Sequence, residues 1–210
     1  MQPPRRNRWV KGVVFCACLL PLASLIVDGF RDKLGANPIE TITHATGDST
    51  MQFLLITLSI TPLRRILGRP DLIRFRRMLG LFAFFYGVLH LMTWMWLDKF
   101  FDLHEMWADV VKRRFITAGM FGFLCMLPLA VTSTTGWIRR LGGKNWQRLH
   151  RLIYLSAAAG VVHYYWLVKS DIRMPALYGC ILAVLLALRI LFRAASRKAP
   201  ATAVVRPVSE

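Results

Sequence analysis

Six stretches of the chain run for at least 15 residues without Asp, Glu, Lys or Arg: 12–27, 49–63, 78–97, 115–138, 152–168 and 174–188. A helix that crosses a hydrocarbon core needs about 20 predominantly apolar residues. Segments 78–97 and 115–138 meet that length. The shorter ones reach it when Lys11, Arg64 or Arg189 at their edges extends its stem toward the headgroups. Pro62 and Pro128 lie inside two of the segments, a position that membrane helices tolerate. The pattern predicts an all-α fold, a bundle of six transmembrane helices. Arg5, Arg6 and Arg8 ahead of the first apolar run resemble the charged head of a signal peptide. No small-x-small cleavage site follows, because the chain continues Leu25-Ile26-Val27-Asp28-Gly29, which favours a retained helix.

Charge adds an orientation to this picture. Of the 28 Lys and Arg residues, 20 fall in the N-terminal tail, the second and fourth connections and the C-terminal tail, all on one side of six alternating spans. The positive-inside rule places that side, and with it both termini, in the cytoplasm. Nine of the 11 acids fall on the other side. The resulting layout is a cytoplasmic tail at 1–8, a transmembrane domain at 9–192 and a disordered cytoplasmic tail rich in Ala and Pro at 193–210. The net charge of +17 alone would suggest nucleic acid, but 55% apolar residues in long runs exclude that reading. The charge serves topology and contact with anionic membrane lipid.

The connections are too short for a domain of their own, the longest running over 28–48, and they contain no GxGxxG or P-loop pattern. Any donor or acceptor of electrons must therefore be a partner. The four cysteines form no repeated CxxC and lie in apolar spans, where they read as small buried hydrophobes rather than a disulfide scaffold or zinc site.

Histidines carry the candidate chemistry. His44 and His104 fall in outer connections and read as solvated. His90 and His163 lie inside spans three and five, and His150 at the inner mouth of span five. An ionisable group within the bilayer is costly and marks function, the alternative being a histidine that hydrogen-bonds a neighbouring helix. His90 follows Arg77 by 13 residues and His163 follows Arg151 by 12, so both imidazoles sit at one height on co-directional helices, in the outer half of the bilayer. Two such rings can hold an iron porphyrin from opposite faces. Gly87 and Gly160, each three residues before its histidine, would leave room for a porphyrin edge or serve close helix packing.

A second layer lies lower. Arg76 precedes His90 by 14 residues and shares its face to within about 40°. His150 precedes His163 by 13 and is about 140° away unless the helix bends. Arg76 and Arg77 with His150 suit propionates, a flavin phosphate or a quinone carbonyl, against the alternative of an ordinary positive-inside cluster. Trp94, Trp96, Tyr164, Tyr165 and Trp166 read as an outer aromatic belt.

The run Trp146-Gln147-Arg148-Leu149-His150-Arg151-Leu152-Ile153-Tyr154, with His163 beyond it, resembles the ferric-reductase-like transmembrane domain. Gly35-Ala36-Asn37-Pro38, His44-Ala45-Thr46-Gly47, Ile60-Thr61-Pro62-Leu63, Arg76-Arg77-Met78-Leu79-Gly80-Leu81 and Thr132-Ser133-Thr134 narrow the likeness, over 35–169, to the MsrQ (YedZ) family. That resemblance implies a haem-binding subunit of the bacterial inner membrane, carrying haem b between His90 and His163. It implies electrons drawn from quinol, or from a cytoplasmic flavin reductase, and passed to a periplasmic molybdopterin partner, MsrP, in a heterodimer that repairs methionine sulfoxide. It implies an FMN as well. The wider superfamily has a second histidine on helix three where Arg76 stands, so one haem or two remain open, with His150 as an inner ligand or contact. On this reading the chain is an electron-transfer subunit with no catalytic residue of its own. Competing readings are a histidine-relay proton channel or transporter, a structural anchor, and a partnered ferric reductase.

Overall fold

The computed structural model describes residues 6–198, and among them every regular element is helical. Helix α1 spans Arg6–Phe30, α2 Pro38–Ile66, α3 Ile73–Met92, α4 Leu103–Lys112, α5 Arg114–Val131, α6 Thr135–Leu149, α7 Leu152–Leu167 and α8 Arg173–Lys198. A short 3-10 turn at Pro70–Leu72 leads into α3, which widens into a π-helical segment at Thr93–Asp98. Starts of helices follow their caps. Asn37 accepts from the Glu40 amide with Pro38 behind it, and Asp102 accepts from the amides of His104 and Glu105.

Helix α2 is the axis of the bundle. It packs most closely on α3 and also touches α1, α7 and α8, while α5 and α7 form the second tight pair. Four of its hydroxyls are satisfied inside an apolar interior by bonding their own helix: Thr46 to Ile42, Ser49 to Ala45, Thr50 to Thr46 and Thr57 to Phe53 carbonyls. Between α2 and α3, Phe53 stacks on Tyr86 at 5.3 Å and 6°. The Tyr86 hydroxyl enters the backbone of α1, donating to the Cys18 carbonyl at 2.8 Å and accepting from the Leu22 amide at 3.2 Å. One phenol thus replaces a helical hydrogen bond next to Pro21 and ties α1 to α3.

In the α5–α7 pair small residues allow close approach. A Cβ on Gly122 would stand 3.3 Å from the Ala159 Cβ and 3.4 Å from the Ser156 carbonyl, and Ser156 Oγ donates to the Gly122 carbonyl at 2.9 Å.

Large apolar side chains cover the outside, among them Val13, Leu20, Leu124, Val184, Ile190 and Leu191. Four segments are long and apolar enough to cross a membrane: Trp9–Phe30, Pro70–Asp98, Arg114–Val131 and Arg173–Ala195. This is a multi-pass membrane protein. Helix α2, with its inward hydroxyls, and α7, with 16 residues, are the other long elements of the bundle.

Several expectations are corrected. The stretch 115–138 is not one span: α5 stops at Val131, the chain turns at Thr132 and Ser133, and α6 is a separate helix carrying Arg139, Arg140, Lys144 and Arg148. Absence of charge over 115–138 hid that break. Helix α2 starts at Pro38 rather than near 49, which puts His44 on its first turns rather than in a connection. Helical structure reaches into both expected tails, since α1 takes in Arg6 and α8 continues to Lys198. The remainders of both expected tails, 1–5 and 199–210, lie outside the described residues. Cys18 and Cys125 are buried, but Cys16 and Cys180 point outward from α1 and α8.

Replacing Gly122 with Val should force α5 and α7 apart and cost about 1–3 kcal/mol. The check is the thermal unfolding midpoint in detergent, with Gly122→Ala expected to fall between wild type and Val.

Candidate functional site

His90 sits near the C-terminal end of α3, and its Nδ1 lies 2.9 Å from the Thr43 carbonyl of α2. His163 sits near the end of α7, with Nδ1 2.6 Å from the Phe115 carbonyl of α5. A carbonyl only accepts, so both rings carry their proton on Nδ1 and present the Nε2 lone pair. The two rings face each other with centroids 6.0 Å apart and planes at 80°. A metal ion about 2 Å from each Nε2 would place the centroids about 6 Å apart. The two rings come from different helix pairs, His90 from α3 beside α2 and His163 from α7 beside α5.

Each ring also rests on a glycine. A Cβ on Gly47 would stand 3.0 Å from His90 Cε1, and one on Gly119 would stand 2.7 Å from His163 Nδ1. The glycine follows the accepting carbonyl by four residues in both cases, Thr43 before Gly47 and Phe115 before Gly119. Gly47 precedes His90 by 43 residues and Gly119 precedes His163 by 44, so two helix pairs repeat one local arrangement. That repeat was the available signal for Gly47 and Gly119, and sequence reasoning missed it. Gly87 and Gly160 do not hold open a slot. Their places are met by Met126 Cε at 2.9 Å and Met51 Sδ at 3.1 Å, which is close helix packing.

At the other end of the bundle the structure places Arg76 and His150 in one cavity of about 550 Å³, together with Thr61, Trp146, Tyr154 and Arg189. His150 caps the C-terminus of α6 and belongs to the break before α7. The 140° mismatch with His163 therefore disappears, because no single helix joins the two histidines. The His150 ring stacks on Trp146 at 3.8 Å, and its Nε2 lies 3.1 Å from Thr132 Oγ1. Trp146 Nε1 donates to the Thr132 carbonyl at 2.9 Å, so the turn that ends α5 positions both rings. Burial, and then the positive charge of Arg76, lower His150 to about 4, leaving it neutral at physiological pH. Arg77 is exposed and does not line the cavity. Arg74 lies 3.7 Å from Asp71 and over the Phe75 ring.

The fold is an all-helical multi-pass membrane bundle that brings two intramembrane imidazoles together, and residues 45–161 match the family described as ferric reductase like transmembrane component, which makes the chain a membrane redox component. The chain is 54% identical to the "Protein-methionine-sulfoxide reductase heme-binding subunit MsrQ" of Herminiimonas arsenicoxydans, over 89% of this chain and 87% of that protein. It is 47% identical to the Caulobacter vibrioides protein of the same name, over 95% of this chain and 100% of the relative. With the Ralstonia nicotianae protein it shares 46% identity over 90% and 88% of the two lengths. The chain belongs to the MsrQ family.

The His150 ring should titrate below pH 5 when followed by NMR with labelled histidine. In Arg76→Gln its pKa should rise toward the ordinary histidine value of about 6.5, because a repelling cation is gone. The stability difference between wild type and His150→Gln should accordingly narrow as pH falls through that interval, since the unfolded histidine takes up a proton that the folded one refuses.

Proposed function

We propose that this protein is the membrane electron-transfer subunit of a protein-methionine-sulfoxide reductase system, and that His90 and His163 are the axial ligands of a haem b. The relatives are named as heme-binding subunits of such a reductase. The observation that carries the reading is the pair of imidazoles at 6.0 Å, each fixed through Nδ1 and free to ligate through Nε2. The residues fit the group. When bound, haem b supplies a one-electron ferric–ferrous couple. The Thr43 and Phe115 carbonyls set the tautomer and ring orientation, and they raise the basicity of each imidazole toward a metal. With both axial positions taken by protein, the site suits passage of electrons rather than activation of oxygen.

In this reading α1, α2, α3, α5, α7 and α8 are six spans, residues 9–192 form the haem-binding domain and both termini are cytoplasmic in a bacterial inner membrane. Support comes from the 20 of 28 cations on one side. The His90–His163 pair then lies toward the periplasm, where the acceptor is the molybdopterin subunit MsrP in a heterodimer. The Arg76–His150 cavity lies toward the cytoplasm and serves the donor, quinol or reduced flavin, with FMN or a second haem that uses His150 as its occupant. Arg77 adds positive charge at that end.

Protein purified in detergent should show the narrow bands of low-spin b-type haem. His90→Ala with His163→Ala should abolish them, and bands that persist in the double variant would refute the ligand assignment. Gly119→Ala, which drives a methyl group against His163, should lower haem retention about 10–100-fold, as expected when a positioning contact behind a ligating histidine is lost.

A further inference from the structure

The cavity at the Arg76 end holds more positive charge than the described residues neutralise. Arg65, Arg76, Arg151, Arg189 and Arg193 all line it. Asp71, the one acid at this end of the bundle among the described residues, lies 3.7 Å from Arg69 and 3.7 Å from Arg74, and not beside the cavity group. Arg189 is bonded only to neutral acceptors, Nη1 to the Tyr154 hydroxyl at 2.5 Å and Nη2 to the Leu58 carbonyl at 2.7 Å. Arg65 likewise reaches only the Phe192 carbonyl, at 3.0 Å. Among the described residues Arg76, which lines the same cavity as Arg189, forms no hydrogen bond or ion pair.

Two further atoms wait on the same cavity. Arg189 Nε and Thr61 Oγ1 are buried and have no hydrogen-bond partner among the described residues. A buried donor without an acceptor is costly, and a buried charge without a counter-charge more so. The unpartnered groups are guanidinium N–H donors and one hydroxyl, and no carboxylate lines the cavity, so their complement is an anion with several acceptor oxygens.

We propose that this cavity is the seat of a phosphate group, held by Arg76 and Arg189 with Thr61 as the neutral third contact. For its soluble source the seat rests on the donor-end reading of this cavity, whereas it stands independently of the histidine pair, whose haem bands report separately. Gly47, beside His90, and Thr61 are 14 residues apart on α2, about 21 Å along the helix. Leu186 and Ile190 of α8 give the cavity an apolar wall open to the outside of the bundle, and Trp146 and Tyr154 give it an aromatic one. Two sources can therefore deliver the phosphate: an anionic phospholipid whose chains lie along α8, or a soluble phosphate monoester.

The test uses the full chain, delipidated in detergent, with the unfolding midpoint followed against inorganic phosphate, phosphatidylglycerol, phosphatidylcholine and FMN. Added phosphate should raise the midpoint at constant ionic strength, where chloride does not. Arg76→Gln should weaken the half-saturating concentration about tenfold or more, in line with loss of a charged hydrogen bond. Thr61→Val alters no charge and should weaken it severalfold, which separates a shaped seat from a diffuse positive field. Arg189→Gln removes bonds to Tyr154 and Leu58 and can fail to fold, so the first two variants decide. Stabilisation by phosphatidylglycerol beyond that by free phosphate identifies the lipid source, and saturation by FMN at lower concentration identifies the soluble one. The proposal is overturned if no phosphate-bearing probe shifts the midpoint, or if Arg76→Gln and Thr61→Val respond as wild type does.

Discussion

Two hydrogen bonds from imidazole to main-chain carbonyl, His90 to Thr43 and His163 to Phe115, set what this bundle can do. An imidazole inside a membrane protein could rotate, change tautomer or spend its lone pair on a neighbour. Here each ring gives its proton to the backbone of an adjacent helix, so Nε2 remains the basic nitrogen and the ring plane is held. Because the carbonyls belong to α2 and α5 while the rings belong to α3 and α7, the spacing between the histidines depends on how the two helix pairs dock. Gly47 and Gly119 give the rings room, and Gly122 brings α5 against α7. The 6.0 Å separation is thus a property of helix packing rather than of either histidine alone.

The opposite end of the bundle follows a different logic. There the helices finish in arginines, the turn at Thr132 holds Trp146 and His150 together, and no carboxylate among the described residues lines the cavity. A neutral His150 is compatible with such a crowd of cations, whereas a protonated one would add to the repulsion. One end presents lone pairs in a confined gap and the other presents donors in an open cavity. Helix α2 contributes to both, through Thr43 and Gly47 near its start and Thr61 and Arg65 near its end. The two chemistries are separated along one axis, which is the arrangement that the proposed electron path would use.

The apolar runs were long enough to make the helical membrane fold legible, and counting from Arg77 and Arg151 was enough to bring His90 and His163 level. Both rest on regular rises, which sequence spacing measures directly. What was hidden rests on irregularity or on groups with no sequence signature. The break at Thr132 occurs inside an uncharged stretch, so charge does not mark it, and only the polar run Thr132-Ser133-Thr134-Thr135-Gly136 does; the helix α6 that follows moves His150 off the axis of His163. The carbonyls of Thr43 and Phe115 could not be read from side chains. Gly87 and Gly160 drew attention by standing one turn from the histidines in sequence, yet the contacts come from glycines on neighbouring helices, where only the near-equal spacing to each histidine gives them away.

The near-perpendicular arrangement of the two rings, at 80°, offers the most direct check on the proposed ligation. Electron paramagnetic resonance of the oxidised, haem-loaded protein distinguishes perpendicular from parallel imidazole planes. A strongly anisotropic low-spin ferric signal, with one dominant high g value, is the outcome expected if His90 and His163 grip one iron in the orientation that Thr43 and Phe115 impose. A high-spin ferric signal, or a low-spin signal left unchanged when His163 is replaced by alanine, would contradict it.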